Sequence, residues 1–500
     1  MGSGINRREF LKRGAVTGAV LPAMAALVLE RSESSAAQAV RDVTPIDRAA
    51  ARELAPRLRG QALLPGDELY ASACSDWAGR VPVRPALAVR CVVPEDVAAA
   101  VNFARDHELP LAVRGGGHGL RSTEGCVLVN LSGMTKVSVD PAERVARAEA
   151  GLTLGDLDAA TRPSGMAAVL GECPSVGMAG FTLGGGLGRL MGQHGSACDN
   201  LLSADIVTAD GRILHLSAEE NPDLFWGIRG GGGNFGIVTS FEHRLHPVGP
   251  VLAGVLQYPI SEAKAVLSFF ADFMKEAPDE LDGLVEMGTV LQYAPESQAP
   301  TVAINVCCCG DPRAAEKTLR PLRAFRPPAV DTIRPMSYFE AQTLGANQTL
   351  LLHHLTPEYS RASRNGFVTQ LPDGAVDAVV AHVARPPSAS WQIAFDHYLH
   401  GAVCRVPETA IAFSLRQSGY SFRVGAFQEG PPEAITPWVK SLHDALQAFS
   451  GGRMYLNYLS DQGEPGVRSA LGVNYGRLAA LKKRYDPTNF FHLNPNIAPG

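Results

Sequence analysis

The sequence predicts an α+β protein of two domains, one of them assembled from two separated stretches of chain. Three observations carry that prediction. From about residue 80 to residue 245, strand-like and helix-like patterns alternate and are punctuated by glycine-rich turns. Beyond Pro247–Pro250 the clusters stop, and longer apolar strands and helices run to about residue 445. The last stretch, over 447–500, regains the ligand-binding character of the first. The expected layout is one domain over 45–248 and 447–500, with a second over 249–446 that holds an antiparallel sheet covered by helices. At 500 residues the chain is too long for one ordinary core, since domains run to roughly 100–200 residues.

The elements follow in order. Ala86–Val93 is a short apolar strand, and Pro94-Glu95-Asp96 opens a helix with its acids in the first turn. Val97, Val101 and Ala104 give that helix an apolar stripe. Leu109–Arg114 is a second strand that runs into Gly115-Gly116-Gly117-His118-Gly119. Val127–Leu131 and Val145–Ala150 are further strands, and Thr153–Arg162 a helix. After Gly184-Gly185-Gly186-Leu187-Gly188 comes the strand Ala204–Ala209, closed by an Asp210-Gly211 turn. Pro222–Ile228 is a short helix leading to the glycines between Gly230 and Gly236. In the second domain Thr301–Val306, Gln392–Val403 and Thr409–Gln417 read as strands. Asn474–Tyr485 is a helix with Leu478, Leu481 and Tyr485 on one face, stopped by Asp486-Pro487.

Composition excludes some functions. Hydrophobic residues at 46% and charged ones at 19% make a globular chain. A net charge of -5 without a basic tract offers nothing to nucleic acid or to an anionic membrane. At the N-terminus, Asn6-Arg7-Arg8-Glu9-Phe10-Leu11-Lys12 precedes an uncharged, mostly apolar run from Gly14 to Leu29. This resembles a twin-arginine export signal, and Ala37-Gln38-Ala39 offers a cleavage site that would remove residues 1–39. The run is shorter than the roughly 20 residues that span a bilayer, so the expected partner is the twin-arginine translocation machinery and the expected location periplasmic or secreted, without a stable membrane anchor. Nine cysteines lack metal-ligand spacing, and no metal is expected. Cys307-Cys308-Cys309 ends a strand-like run, where successive side chains point to opposite faces and cannot converge easily on one ion.

None of the glycine clusters fits the familiar nucleotide templates. Gly184 to Arg189 places arginine where the third glycine of G-x-G-x-x-G belongs, and no G-x-x-x-x-G-K-[ST] occurs. Several glycine-rich turns instead suggest many backbone amides around one large anionic ligand, because unshielded N–H groups form an anion-binding concavity.

Residues Val113-Arg114-Gly115-Gly116-Gly117-His118, Gly171-Glu172-Cys173-Pro174-Ser175-Val176-Gly177, Gly184 to Gly188 and Gly195 through Asp199-Asn200 resemble the FAD domain of the berberine-bridge-enzyme-like oxidases. These belong to the vanillyl-alcohol oxidase and p-cresol methylhydroxylase superfamily. The likeness continues through Pro222 to Trp226, Gly231 to Gly236, Tyr455-Leu456-Asn457-Tyr458 and Tyr485 to Phe490, in order and at matching spacing. It implies an FAD cofactor held by two covalent bonds, from His118 and Cys173. A thiolate is a good nucleophile towards an electron-poor ring, and imidazole can attack an activated ring methyl.

The resemblance also implies flavin contacts from Arg114, Gly115, Gly116, Gly117, Gly119, Val176, Gly177, Gly184, Gly185, Gly186, Gly188, Asp199, Asn200, Gly236, Ile237, Val238, Asn494 and Asn496. Gly116 stands where many relatives carry serine, and Pro495 where they often carry an amide. Val176 sits where the family places a residue beside the oxygen-reactive face, and valine there accompanies oxidases. Hydride loss from a carbon needs a base for the attached hydroxyl or amine, and the family pattern points to Tyr458 first and Tyr455 second. On two opposite strand faces only one could point inward, and Arg416 is the expected positive neighbour. Gln392, Tyr398 and His400 share a strand face, lining the pocket or facing solvent.

The implied activity is oxidation of an alcohol or amine carbon of a small molecule, with O2 as acceptor and hydrogen peroxide as product. The alternatives are a dehydrogenase of the same fold with a non-oxygen acceptor, and a flavin-loaded binding protein with little catalysis.

Overall fold

The computed structural model describes residues 48–77, 84–119, 124–291, 299–344, 359–459 and 463–500. The export signal expected over 1–39 lies outside them. Among the described residues no helix is long and apolar enough to cross a membrane.

The chain folds around two large cores. The first draws on residues from Ala51 to Leu245, on Ala412 and on Met454 to Ile497. The second draws on residues from Leu252 to Leu446. A small sheet opens the first part, in the order Gln61–Leu63, Leu87–Arg90, Val127–Asn130, Leu111–Arg114, with the last three strands parallel. The helix Pro94–Asp106 crosses between two of those strands, and Val97, Val101 and Ala104 are fully buried on it. Its Asp96 carboxylate, also fully buried, accepts backbone N–H bonds from Arg59, Gly60 and Val92 at 2.7, 3.1 and 2.9 Å. Only Val92 lies at the helix start; Arg59 and Gly60 precede the strand Gln61–Leu63, so the same carboxylate ties that segment to the helix. A five-stranded antiparallel sheet follows, ordered Val137–Asp140, Val145–Glu149, Ile237–Arg244, Leu201–Val207, Ile213–Ser217. The helix Leu154–Thr161 begins on a reciprocal cap in which Thr153 and Asp156 bond each other's backbone N–H.

The second core lies under one antiparallel sheet ordered Val330–Asp331, Pro250–Pro259, Thr301–Cys308, Leu281–Gly288, Ser390–Leu399, Gly419–Glu429, Tyr359–Val368. The helices Ala263–Lys275, Pro312–Ala324, Asp373–Val383 and Thr436–Gln447 cover one of its faces with Phe270, Leu319, Val376 and Leu442. Leu281, Val285 and Met287 point to the helices while Asp282 and Glu286 point to the other face, where they are buried alongside Leu284.

Two strand expectations need correction. Gln392–Val403 ends as a strand at Leu399 and continues into the short helix Ala402–Arg405. Thr409–Gln417 is not a strand. Its backbone is claimed by the first part of the chain: Ala412 and Phe413 N–H bond the carbonyls of Trp226 and Arg229, and Asn474 Nδ2 bonds the carbonyls of Glu408, Ile411 and Ala412. The apolar pattern there reflects burial between the two parts, and the sheet strand is Gly419–Glu429 instead.

Candidate active site

The loop Gly115–Gly119 leaves the end of the strand Leu111–Arg114, where Arg114 Nε is fastened to the Ser75 carbonyl at 2.7 Å. Its neighbour is the segment carrying Cys173. A Cβ on Gly116 would lie 2.3 Å from Gly177 N, and one on Gly177 would lie 2.2 Å from Gly116 N. The two backbones therefore touch, which only glycine allows. Serine at position 116 would collide with this contact. Among the described residues, no protein group accepts from the backbone N–H groups of Gly115 to Gly119.

This contact brings His118 and Cys173 to one place. His118 Nε2 lies 2.9 Å from Ser175 Oγ, and Cys173 Sγ lies 3.4 Å from the same oxygen. Cys173 is exposed, and His118 stacks on Trp77 with ring centroids 4.6 Å apart and planes 15° from parallel. Desolvation holds the His118 pKa down to about 4, opposed by Asp76 and aided by Arg361, although the residue is exposed by surface area. The ring is neutral at physiological pH, the form in which it is a nucleophile. Val176, half-buried, accepts the Leu154 N–H at 2.9 Å and gives its own to the Cys173 carbonyl.

The other expected contacts divide by how their groups are used. In Gly184–Gly188 the N–H groups of Gly184 and Gly185 go to the carbonyls of Gly180 and Thr182, and Gly186 N–H goes to Tyr455 Oη at 3.0 Å. Asp199 holds Ser196 and Arg416, and Asn200 holds the carbonyls of His194 and Ser196. Gly236, Ile237 and Val238 begin a buried strand of the five-stranded sheet. Asn494 Nδ2 bonds the Gly233 carbonyl, while Asn494 Oδ1 and Asn496 Oδ1 are buried acceptors without a donor. Asn234 and Lys482 tie this closing segment down: Asn234 meets Pro495 and Ile497, and Lys482 Nζ, fully buried, meets Asn234, Asp486 and Phe491.

Tyr455 and Tyr458 do not occupy opposite strand faces. They bracket a single 3₁₀ turn, Leu456–Tyr458, and their rings meet edge to face at 4.8 Å. Tyr455 accepts from Gly186 N–H and Asn457 Nδ2, and burial raises its pKa well above the usual value. Tyr458 is raised to about 12 by burial and by Asp396, against Arg423 and a hydrogen bond with Ser421. Arg416 is not its positive neighbour: it grips Asp199 with two 2.7 Å contacts and lies over Phe413, because residues 409–417 run under the glycine segments and not in the sheet. Arg423 stands in its place.

Around Tyr458 is a cluster that sequence reading missed. Arg189 Nη2 meets Glu172 Oε1 at 2.8 Å and Arg189 Nη1 meets Asp282 Oδ2 at 2.5 Å, all three side chains almost fully buried. Ser421 Oγ donates to Asp396 Oδ2 at 3.3 Å across a directly paired strand position. Burial pushes the Asp396 carboxyl up to about 6, with Arg423 opposing. A polar residue inside an apolar strand, such as Asn305 within Thr301–Cys308, was the available signal. Gln392 and His400 both face inwards, Gln392 onto Glu286 and His400 stacked on His397.

Residues 85–217 match the family described as FAD binding domain, and residues 454–498 the one described as berberine and berberine like. An (R)-6-hydroxynicotine oxidase of Paenarthrobacter nicotinovorans is 31% identical over 452 residues, 88% of this chain and 97% of that protein. This chain belongs to the berberine-bridge-enzyme-like FAD-linked oxidoreductases. An FAD-linked oxidoreductase of Dictyostelium discoideum is 30% identical over 89% of this chain and 96% of its own length. The crystal structure of 6-hydroxy-D-nicotine oxidase from Arthrobacter nicotinovorans matches with a TM-score of 0.78 at 29% identity, over 89% of this chain and 98% of that one. A chitooligosaccharide oxidase shares the fold at 22% identity, with a TM-score of 0.77 over 90% of this chain and 100% of that one. The protein is thus an FAD-linked oxidoreductase with an FAD-binding part and a sheet-containing substrate part. Its residues fit the cofactor: amides left open in Gly115–Gly119 among the described residues, and two buried asparagine acceptors that a flavin N–H or a ribityl hydroxyl can satisfy.

Proposed function

We propose that this flavoenzyme is an oxidase whose FAD is bound through both His118 and Cys173, acting on an alcohol or amine carbon of a small molecule. The observation that carries the reading is the convergence of His118 and Cys173 on the Ser175 hydroxyl, at 2.9 and 3.4 Å. Ser175 occupies Nε2 of His118, so Nδ1 is the nitrogen left to form a bond. When bound, FAD supplies a two-electron acceptor that takes hydride from carbon and passes the electrons to O2, yielding hydrogen peroxide.

The protein's own contribution is orientation and proton handling. The open amides of Gly115–Gly119 suit the pyrophosphate. Tyr458 is protonated at neutral pH as it stands, and the Ser421 hydroxyl near it donates to Asp396 Oδ2 at 3.3 Å. Tyr458 can take the substrate's proton while passing its own along Ser421 to that carboxylate. The Asp396 charge is gained as pH rises through about 6, so kcat/KM rises with pH through that value, and Asp396→Asn abolishes this limb. A pH profile of peroxide production checks this, and a limb that persists in the variant contradicts it.

A dehydrogenase would be bleached by substrate without oxygen and would recolour slowly in air with little peroxide. An oxidase recolours at once and releases one peroxide per turnover, which is the deciding experiment. We further propose export by the twin-arginine route, on the strength of Arg7-Arg8 and the apolar run after them. Replacing both arginines by lysine should retain the enzyme in the cytoplasm, and unchanged export would refute the route.

A further inference from the structure

The Ser175 hydroxyl is placed by main chain and used by side chains. It rides on a turn closed by the Val176 N–H on the Cys173 carbonyl at 3.2 Å. That turn is pinned from outside, where the Leu154 and Gly155 N–H groups reach the carbonyls of Val176 and Pro174, both at 2.9 Å. None of these bonds involves the hydroxyl. Among the described residues its hydrogen-bond partners are His118 Nε2 and Cys173 Sγ alone. A hydroxyl that the turn does not need, and that meets both tether residues, serves the tethers.

A flavin bond at His118 Nδ1 leaves a proton to be removed. With Nδ1 free to attack, the neutral ring carries its hydrogen on Nε2. Once Nδ1 is bonded to carbon, the ring is a cation until that hydrogen leaves. Desolvation disfavours charge on this imidazole, and Arg361 adds to the penalty while Asp76 opposes it. The hydrogen needs an exit, and Nε2 faces Ser175 Oγ at 2.9 Å. A serine hydroxyl can accept one hydrogen while giving up its own. The other group it meets is Cys173 Sγ, exposed and 3.4 Å away. A thiolate there can take the hydrogen and return it to water.

Building on the two-tether reading, we propose that Ser175 relays the Nε2 proton of His118 to the Cys173 thiolate, so that Cys173 is the base for the first attachment before it forms the second. Attachment at His118 consumes one FAD, one imidazole N–H and one O2, and forms one N–C bond at the ring methyl and one hydrogen peroxide. The methyl loses one hydrogen and the imidazole the other, and both end in the peroxide. The electron pair of the broken C–H bond goes to O2. The relay also sets an order, because a sulfur already bonded to flavin is a thioether, a weak acceptor without charge.

The test mixes full-length chain from riboflavin-starved cells with FAD in air, samples it into acid at intervals, and maps the flavin by peptide mass spectrometry. Rates are taken per molecule of bound FAD. In wild type, flavin should reach the His118 peptide before the Cys173 peptide. Ser175→Ala should slow attachment at His118 about tenfold or more, and Ser175→Thr, which keeps the hydroxyl, should restore the rate to within about threefold. Cys173→Ala should slow it about threefold or more. Adding Cys173→Ala to Ser175→Ala should cost nothing further, a non-additivity that a merely structural serine would not produce. The relay falls if Ser175→Ala attaches flavin at the wild-type rate, if threonine does not restore that rate, if the two substitutions add, or if Cys173 is attached first. Absence of acid-stable flavin from wild type overturns the two-tether reading as well. If Ser175→Ala does not fold, Cys173→Ala and the wild-type order decide.

Discussion

Gly115–Gly119 and Gly184–Gly188 look alike in the sequence and do different work in the fold. In the first, the backbone amides are left open among the described residues, and Gly119 has nothing within 4 Å of where a Cβ would sit. In the second, the glycine amides are given to protein acceptors, and every glycine is pressed against something: Asn457 at Gly184, Phe413 at Gly185, Ala197 at Gly186 and the Leu170 carbonyl at Gly188. Glycine richness thus reports a close approach to the backbone, whether the approaching group is a ligand or the rest of the protein. Hydrogen-bond partners tell the two apart.

Substitutions can break or sharpen this contrast. The largest effect is expected at Gly188, where a Cβ would lie 2.0 Å from the Leu170 carbonyl oxygen and backbone must move. Gly188→Ala should cost about 3 kcal/mol in denaturant unfolding, while flavin per folded molecule stays constant. Gly116→Ala meets Gly177 backbone and should lower flavin incorporation more than it lowers stability; equal loss of both would blur the distinction. Tyr455→Phe removes the acceptor for Gly186 N–H and Asn457 Nδ2. It should destabilise by about 1–2 kcal/mol, measured as a fall in Tm. The smallest effect is at Gly119, where Gly119→Ala should stay within about 0.5 kcal/mol of wild type. A large loss there would mean the loop is packed and not open.

Much of the first part of the chain was legible because its signals are local. Pro94 with two acids, Thr153 with Asp156, and Pro222–Ile228 specify helix starts from a few neighbouring residues. Asn474–Tyr485 was readable for the same reason, its apolar residues recurring at helical spacing. Thr409–Gln417 misled because burial between two bodies produces the same apolar texture as burial in a sheet. Arg416 was misplaced with it. The cluster of Glu172, Arg189, Asp282 and Asp396 was invisible for another reason: its members lie up to 224 residues apart, and only the packed fold makes them neighbours. Arg189 was noticed only as the residue that spoils a nucleotide motif, although it is the hub of that cluster.

The central claim is that His118 and Cys173 both carry the flavin, and acid precipitation followed by peptide mass spectrometry tests it directly. The account predicts yellow colour in the pellet and flavin mass on peptides containing both residues, with Cys173→Ala leaving attachment at His118 alone. Colour released into the supernatant, or flavin on neither peptide, would contradict it.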